Sequence, residues 1–452
     1  MAVMLQFIQN QMLKIYNSLT KKKEEFIPID KNHIKFYSCG PTVYNRIHIG
    51  NARAFICSDL LSRVLKGIYP KVTYVSNITD IDDKIIDAAK QENKSIKDIS
   101  NKYFNIYLED LESLGINKPD LQPFATDYIN EMIDYIEKLI DSNNAYIHEG
   151  NVLFDTTKFK NYGCLSGRNL DEQKAGERVN LETYKRNVND FTLWKPSNNG
   201  EPGWESPWGF GRPGWHLECS VMSELTLNIP FDIHGGGNDL KFPHHDNEIA
   251  QTCAYHGSSE PQDFARYWFH NGFLNLDNEK MSKSLGNVVY LEDLLDVYDG
   301  NQIRLALLST HYRQPIPWNK TLLEQAKTVS KKINKFTKDL NLTPKFNVDT
   351  LIAQDLLDDL NTPKAIATIQ KLIQSPSNNI ESELETFQYI FEGSKHRVRL
   401  DDNKISEIEK LIKERDIARK NGNYDQADEI RDKLTKMNVI IEDINGKTVW
   451  KI

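Results

Sequence analysis

The segment PTVYNRIHIGN, residues 41–51, sets a histidine and a glycine at a turn that leads into an amphipathic run. A strand–turn–helix junction of this kind offers free backbone N–H groups and the positive end of a helix dipole to an anion such as phosphate. His48 can add a donor there, with Gly50 and Asn51 opening the helix. Alone, the string HIGN is a weak signal, because a capped helix with a surface histidine reads the same way. Much later comes Lys280-Met281-Ser282-Lys283-Ser284. Lysines flanking a Met-Ser pair can neutralise a triphosphate as part of it leaves, although a solvated lysine loop also fits. A further set has metal-ligand chemistry. Cys39 ends a predicted strand, Cys219 sits in GWHLECS, and His244 and Glu248 lie in KFPHHDNEIAQ. Pro243 is acceptable in the first turn of a helix, which makes His244 and Glu248 an i, i+4 pair on one face. Zinc accepts thiolate, imidazole and carboxylate together. The cysteines are far apart in sequence, so spacing alone leaves a zinc site and ordinary core or surface residues about equally open.

The elements that must position these residues begin with HIKFYSCG, residues 33–40, read as a strand entering a turn. Ala54, Phe55, Leu60, Leu61, Val64 and Leu65 predict a one-sided helix from Asn51 to Gly67, and VTYVSNI, residues 72–78, a second strand. The resulting βαβ unit predicts an α/β fold with a doubly wound parallel sheet of Rossmann type. Residues 118–205 break the pattern with a helix (Tyr128–Ser142), short strands and polar turns, and read as a connective insertion. Residues 198–216, rich in Gly, Pro and Trp, read as a loop. From about Asn301 the chain becomes helical, with a break at SPSN (375–378) and a linker at HRVRLDDN (396–403). The expected domains are therefore a catalytic domain at 12–117 and 206–300, the insertion at 118–205, an all-α bundle at 301–400 and a small last domain at 404–452.

Composition agrees with a multidomain globular chain. There are 452 residues, 39% of them apolar, and no continuous apolar stretch long enough for a membrane span. No basic residue precedes Lys14 and no arginine precedes Arg46, which argues against a signal or transit peptide and for a cytoplasmic protein. Met12 opens MLKIYNSLTKKKEEF, so residues 1–11 read as an upstream start or an appendage. The five cysteines are an odd number, and reduced thiols are expected. The net charge of −8 opposes wholesale nucleic-acid coating but not a local basic face. Lys320, Lys327, Lys331, Lys332, Lys335 and Lys338 form such a candidate face on one helical pattern, where a merely solvated face is as well supported.

In this order, HIGN and KMSKS resemble the HIGH and KMSKS signatures of class I aminoacyl-tRNA synthetases. Asn51 replaces the final histidine of HIGH; it can donate a hydrogen bond but cannot be cationic. The chain is similar to the cysteinyl-tRNA synthetase family over nearly its full length, through FYSCGPTVYNRIHIGNAR, NITDIDDKI, GRPGWHLECSVMS, FDIHGGGNDLKFPHHDNEIAQ, EKMSKSLGN and DDLNTPKA. That resemblance implies one Zn²⁺ per chain on Cys39, Cys219, His244 and Glu248, and Mg²⁺ arriving with ATP. It implies Thr79, Trp215 and His234 around the substrate cysteine. Gly50, Asn51, Gly235, Gly236, Gly237, Asp239 and Lys283 would hold ATP, with His48, Lys280 and Lys283 as the catalytic charges. It implies L-cysteine, ATP and tRNA(Cys) as substrates, an anticodon-binding last domain with Arg419, Asp428 and Trp450 at the bases, and a monomer. Cys57, Cys164 and Cys253 read as small buried side chains. Asp80, Asp82 and Asp83 read as acidic residues starting a helix rather than as acid–base carboxylates.

The chemistry makes sense of the metal. Serine is nearly isosteric with cysteine, and size and polarity alone often separate close analogues by only about 10–200-fold. A thiolate is a far better zinc ligand than a hydroxyl, so the metal can discriminate without an editing domain. Two other readings compete. A ligase that activates cysteine identically but passes it to an amino sugar would share the pocket, and the helical C-terminal region speaks for tRNA instead. A zinc-stabilised RNA-binding protein without catalysis would not need the HIGN and KMSKS pair. The CxxC knuckles common in methionine-type class I enzymes are absent.

Overall fold

The computed structural model describes residues 12–168, 184–198, 200–276, 279–280, 288–376, 378–393, 402–437, 439–444 and 447–451. Strand Ile34–Ser38 (β1) carries Phe36 and Tyr37 fully buried on opposite faces, in two different cores. A strand buried on both sides belongs in a sheet covered above and below. Helix Ile49–Ile68 (α1) follows, then strand Val72–Ser76 (β2), which pairs parallel to β1 from Ile34↔Val72 to Ser38↔Ser76. After a long excursion the chain returns through helix Trp215–Leu227 (α2), strand Phe231–Gly237 (β3), helix Asp246–Tyr255 (α3) and strand Ala265–Asn271 (β4). All pairings are parallel and the order is β4-β3-β1-β2. The chain winds away from β1 on one side and from β3 on the other. The crevice beyond the carboxyl ends of these neighbouring strands is therefore where such a sheet binds ligands. Cys39 directly follows β1, and Gly237 ends β3.

The expected helix 51–67 is thus Ile49–Ile68 and the strands 33–40 and 72–78 are Ile34–Ser38 and Val72–Ser76, which differ in their end residues, but the helix is not one-sided: every residue from Phe55 to Leu65 is buried. Within the excursion, the helix Ile129–Asp141 precedes a four-stranded antiparallel sheet, Ala145–His148, Asn151–Phe154, Phe191–Pro196 and Gly211–Pro213. Its last strand lies inside the segment expected to be a loop. Pro213 hid it: proline cannot donate to a ladder, but this is the edge strand of the sheet, where that costs nothing. The same effect conceals Ile316–Trp318 in the region expected to be helical. With Pro317 at its centre, it pairs parallel to Leu274–Leu276 as an edge strand.

The helices Gly300–Leu308, Lys320–Thr337, Leu351–Leu357, Thr362–Leu372 and Ile380–Phe391 share one apolar core with α1 and one face of the parallel sheet. A buried charge cluster ties them to α1. Asp59 Oδ2 accepts from Arg63 Nε at 2.8 Å and from Arg304 Nη2 at 2.5 Å, while Arg304 also donates to the Ile390 carbonyl at 2.9 Å. Arg63 donates to the Tyr389 carbonyl at 2.6 Å. The last part of the chain, helices Asp402–Lys420 and Tyr424–Lys436 with the hairpin Ile440–Ile444/Lys447–Lys451, has its own core of Ile408, Ile412, Ile430, Leu434 and Val439. Among the described residues no helix is long and apolar enough to cross a membrane. Most of the linker expected at 396–403 lies outside the described residues.

Candidate active site

A cavity of about 380 Å³ opens at the carboxyl edge of the sheet. The sequence-predicted residues that line it are Cys39, His48, Gly50, Asn51, Thr79, Trp215, Cys219, Gly237 and Asp239. His48 is the N-cap of α1: its Nδ1 accepts from the Asn51 N–H at 3.1 Å, while Asn51 Oδ1 accepts from the His48 N–H at 3.3 Å. With Nδ1 occupied as an acceptor, the ring proton sits on Nε2. Asn51 thus has a structural task in closing the capping box, which explains why an uncharged residue serves there.

At one end of the cavity, with Cys39 and Cys219 in its lining, lies the metal candidate. One ligand atom each from Cys39, Cys219, His244 and Glu248 fall within 4.8 Å of one another. A tetrahedral zinc with Zn–S of about 2.3 Å and Zn–O of about 2.1 Å sets two sulfurs about 3.8 Å apart and a sulfur and an oxygen about 3.6 Å apart. The Cys39 and Cys219 sulfurs are 3.7 Å apart, and Cys39 Sγ is 3.6 Å from Glu248 Oε1. His244 Nδ1 pairs with His216 Nδ1 at 2.9 Å, leaving Nε2 buried without a hydrogen-bond partner although Glu248 Oε1 is 3.0 Å away. An orphaned imidazole nitrogen facing two thiols and a carboxylate fits a zinc ion. A second donor set, Cys39, His234, His245 and Glu248, overlaps the first.

The charges are mutually dependent. Burial pushes the Cys39 thiol well above its ordinary value, with Cys219 and Glu248 adding to the effect. Burial also opposes ionisation of Cys219, but the Cys39 hydrogen bond and His244 outweigh it and bring the thiol to about 6. His244 is raised to about 10: burial disfavours its charge, and Glu248 and Cys219 more than compensate. Glu248 is held well below the usual carboxylate range by His234 and His244 in spite of burial. His216 falls to about 3 through burial and repulsion from His244.

The structure departs from the expectations at several of these positions. His244 and Glu248 meet as an i, i+4 pair, but not within one regular helix: Lys241–His245 forms a wider turn, and the α-helix starts at Asp246. His234 does not reach the cavity. It is fully buried, with Nε2 2.8 Å from Glu248 Oε2 and its ring stacked on Trp268 at 4.5 Å. Trp215 is 38% exposed at the cavity and stacks on His244 at 4.0 Å. Gly235 and Gly236 also stand back from the cavity, and packing accounts for them: a Cβ at Gly236 would come within 2.9 Å of His245 Cε1, and one at Gly235 within 3.0 Å of Phe36. Asp82 caps helix Asp83–Glu92 and Asp83 opens it while pairing with Arg212 and Lys195, as expected of acidic residues starting a helix; Asp80 instead accepts from the N–H and hydroxyl of Thr126. Sequence reasoning missed His216, His245 and His270. The last two pair at 2.8 Å, with His270 Nδ1 then 2.9 Å from Ser18 Oγ. The adjacent histidines of KFPHHDNE were the available signal.

Lys280 lies in the short strand Glu279–Lys280, which pairs antiparallel with Asn275–Leu276; Lys283 lies outside the described residues. Of helix Lys320–Thr337, the side chains of Lys320, Lys331, Lys332 and Lys335 are exposed, while Lys327 lies 5.5 Å from the Tyr298 ring. Arg419 and Asp428 are exposed in the last domain, whereas Trp450 is half-buried against the small core there.

Residues 25–328 match the family described as tRNA synthetases class I (C) catalytic domain, and residues 406–450 the family described as cysteinyl-tRNA ligase anticodon binding domain. The chain is 44% identical to a cysteine–tRNA ligase of Parvibaculum lavamentivorans, over 97% of this chain and 98% of that one. It is also 44% identical to one of Pelagibacter ubique, over 98% of this chain and 100% of that one. Among solved structures, a Mycobacterium tuberculosis methionyl-tRNA synthetase in complex with methionyl-adenylate shares the fold, with a TM-score of 0.55 at 13% identity, covering 80% of this chain and 89% of that one.

Proposed function

Because the chain belongs to the cysteine–tRNA ligases, a family of class I aminoacyl-tRNA synthetases, we propose that its Cys39, Cys219, His244 and Glu248 hold one zinc ion that selects the substrate by its thiol. The observation that carries this reading is the donor geometry: sulfurs 3.7 Å apart beside an orphaned His244 Nε2, at the end of a cavity lined by Cys39 and Cys219. Bound there, zinc supplies a site for a thiolate and lowers the substrate thiol below its ordinary pKa of about 8.5, which serine's hydroxyl cannot match. The set with two cysteine sulfurs suits zinc better than the overlapping set with one.

The cavity runs from the thiol end to the start of α1, where the nucleotide would lie, with Mg²⁺ accompanying ATP. Trp215 and Thr79 wall the cysteine, and His234 acts one step back by orienting Glu248. Gly50, Asn51, Gly237 and Asp239 face ATP, while Gly235 and Gly236 keep the strand end close-packed behind it. The cysteine carboxylate attacks the α-phosphorus, a P–O bond forms to the adenylate, and the bond to pyrophosphate breaks. His48 donates from Nε2, and Lys280 and Lys283 neutralise the departing charge; this is positioning and electrostatics, not covalent catalysis. A terminal ribose hydroxyl of tRNA(Cys) then attacks the mixed anhydride and releases AMP.

Residues 12–117 and 206–300 form the catalytic domain in this reading, 118–205 the connective insertion and 301–400 the stem-contact bundle. Residues 404–452 read the anticodon through Arg419, Asp428 and Trp450. We take the protein to be a cytoplasmic monomer. Cysteine-dependent ATP–pyrophosphate exchange, run with serine in parallel on zinc-loaded and chelated protein, tests the core of the proposal. Exchange with cysteine alone, lost on chelation, is expected; equal exchange with serine, or exchange that survives removal of zinc, would overturn it.

A further inference from the structure

The turn that leads into α1 is laced to the chain that follows KMSKSLGN. The Ile49 N–H donates to the Val289 carbonyl at 3.0 Å and the Leu291 N–H to the Ile47 carbonyl at 3.2 Å, on either side of an antiparallel bridge between His48 and Tyr290. That register sets Arg46 opposite Glu292, and Arg46 Nε donates to Glu292 Oε2 at 2.7 Å. The turn is held from its other side by Asp110, 1% exposed, which accepts from the Ile47 N–H. Arg46 is therefore placed twice over, by its own side chain and by both backbone groups of the residue after it.

Arg46 lines the cavity beside His48. A guanidinium held through Nε keeps the end of its fork, Nη1 and Nη2, for another acceptor, and among the described residues none takes them. Two parallel N–H donors at that spacing match two oxygens of a phosphate. Lys84, the other full cation among the described lining residues, has no such fork and sits 5.7 Å from the Tyr44 ring. Resting on the reading that puts the nucleotide at the start of α1, we propose that Arg46 is a binding residue for the β- and γ-phosphates of ATP and Glu292 its positioning residue. The partner's place argues for those phosphates rather than the α-phosphate: Glu292 follows the segment whose lysines, in that reading, meet the departing charge.

The test compares α,β-methylene-ATP, which keeps the triphosphate but cannot yield the adenylate, with AMP, by calorimetric binding to the native chain and its variants. Arg46→Met, which keeps the apolar stem, should weaken the triphosphate by about 10–100-fold, the size of charge-assisted hydrogen bonds, and leave AMP within about twofold to threefold of native. Arg46→Lys, a charge without the fork, should fall between the two. Glu292→Ala should weaken the triphosphate less than Arg46→Met does and add nothing to it in the double variant, because it acts through Arg46. In pyrophosphate exchange Arg46→Met should raise KM for ATP but not for cysteine. Equal weakening of triphosphate and AMP would show a merely structural role, and undiminished triphosphate binding would show that those phosphates are held elsewhere; either overturns the assignment. His48→Asn, run alongside, separates the two possible failures. If it slows single-turnover adenylation while Arg46→Met leaves both binding and adenylation native, Arg46 alone is refuted. If neither variant changes adenylation, it is the placement of the nucleotide at α1 that fails, and the role of Arg46 falls with it.

Discussion

Zinc uptake should release about two protons per ion at pH 7, and the number follows from the cluster's own charges. Coordination requires two thiolates, a neutral imidazole and a carboxylate. Glu248 is already ionised, held well below its ordinary range, and so gives up nothing. Cys39, raised by burial, is a thiol and must lose its proton. Cys219 and His244 hold one proton between them. With Cys219 at about 6 and His244 at about 10 that proton rests on the ring, but a neutral ring beside a thiol would give the same total. The count is therefore insensitive to how the pair shares its charge. Since the raised groups are protonated below their folded values, protons compete with zinc as pH falls and affinity rises with pH. Two protons correspond to about a 100-fold change in apparent Kd per pH unit near neutrality. Calorimetry in two buffers of different ionisation enthalpy measures the count directly. Release of fewer than about one proton would refute the assignment of Cys39 and His244 as ligands. Cys219→Ala separates the overlapping donor sets, since it removes a ligand from the first and none from the second.

Other consequences follow from the same structure. Asp59→Ala should cost about 3–5 kcal/mol in urea unfolding, because Arg304, fully buried, would keep its charge without a counter-ion. Adding Arg304→Met should restore part of it, and a loss under about 1 kcal/mol would mean the guanidinium finds water. His48→Asn should leave stability within about 0.5 kcal/mol, since asparagine caps helices well, yet slow adenylate formation by about 10²–10³-fold for want of the Nε2 donor. Unchanged single-turnover adenylation would remove His48 from the mechanism. Lys283→Ala should lower the rate of adenylation and leave cysteine binding intact, as rapid-quench and calorimetry together would report. Deleting residues 404–452, which have their own core, should spare pyrophosphate exchange but reduce kcat/KM for tRNA by about tenfold or more, the worth of one lost base contact.

How far the sequence could be read depended on how local each cause is. The βαβ unit was readable because its apolar runs and the turn between them are local signals, although α1 is buried continuously from Phe55 to Leu65 and not on one side as its apolar positions suggested. The strands Gly211–Pro213 and Ile316–Trp318 were not, because a proline's local preference carries no knowledge of whether its strand ends at an edge. The family resemblance put a nucleotide at three consecutive glycines, yet Gly236 is small because His245 packs against it, a contact from another element altogether. The HIGN string suggested a phosphate site and left Asn51 puzzling until the reciprocal cap with His48 gave it a task.

The cluster of Cys39, Cys219, His244 and Glu248 shows the opposite case, in which widely spaced residues meet by topological necessity. Cys39 comes straight after β1, at the carboxyl edge of the sheet. The chain enters α2 at Trp215 beside that edge, so Cys219, one turn in, faces back toward it with its sulfur 3.7 Å from that of Cys39. The turn Lys241–His245 leaves the end of β3, which is hydrogen-bonded to β1, and Glu248 follows in the first turn of α3. Every member of the cluster therefore sits where a parallel strand ends or a helix next to it begins. In a sheet whose strands all point one way those places lie together, whatever the distance between them in sequence. The spacing of the cysteines, which left the matter open when read as a linear pattern, is what the winding of this fold requires of residues that meet at one edge.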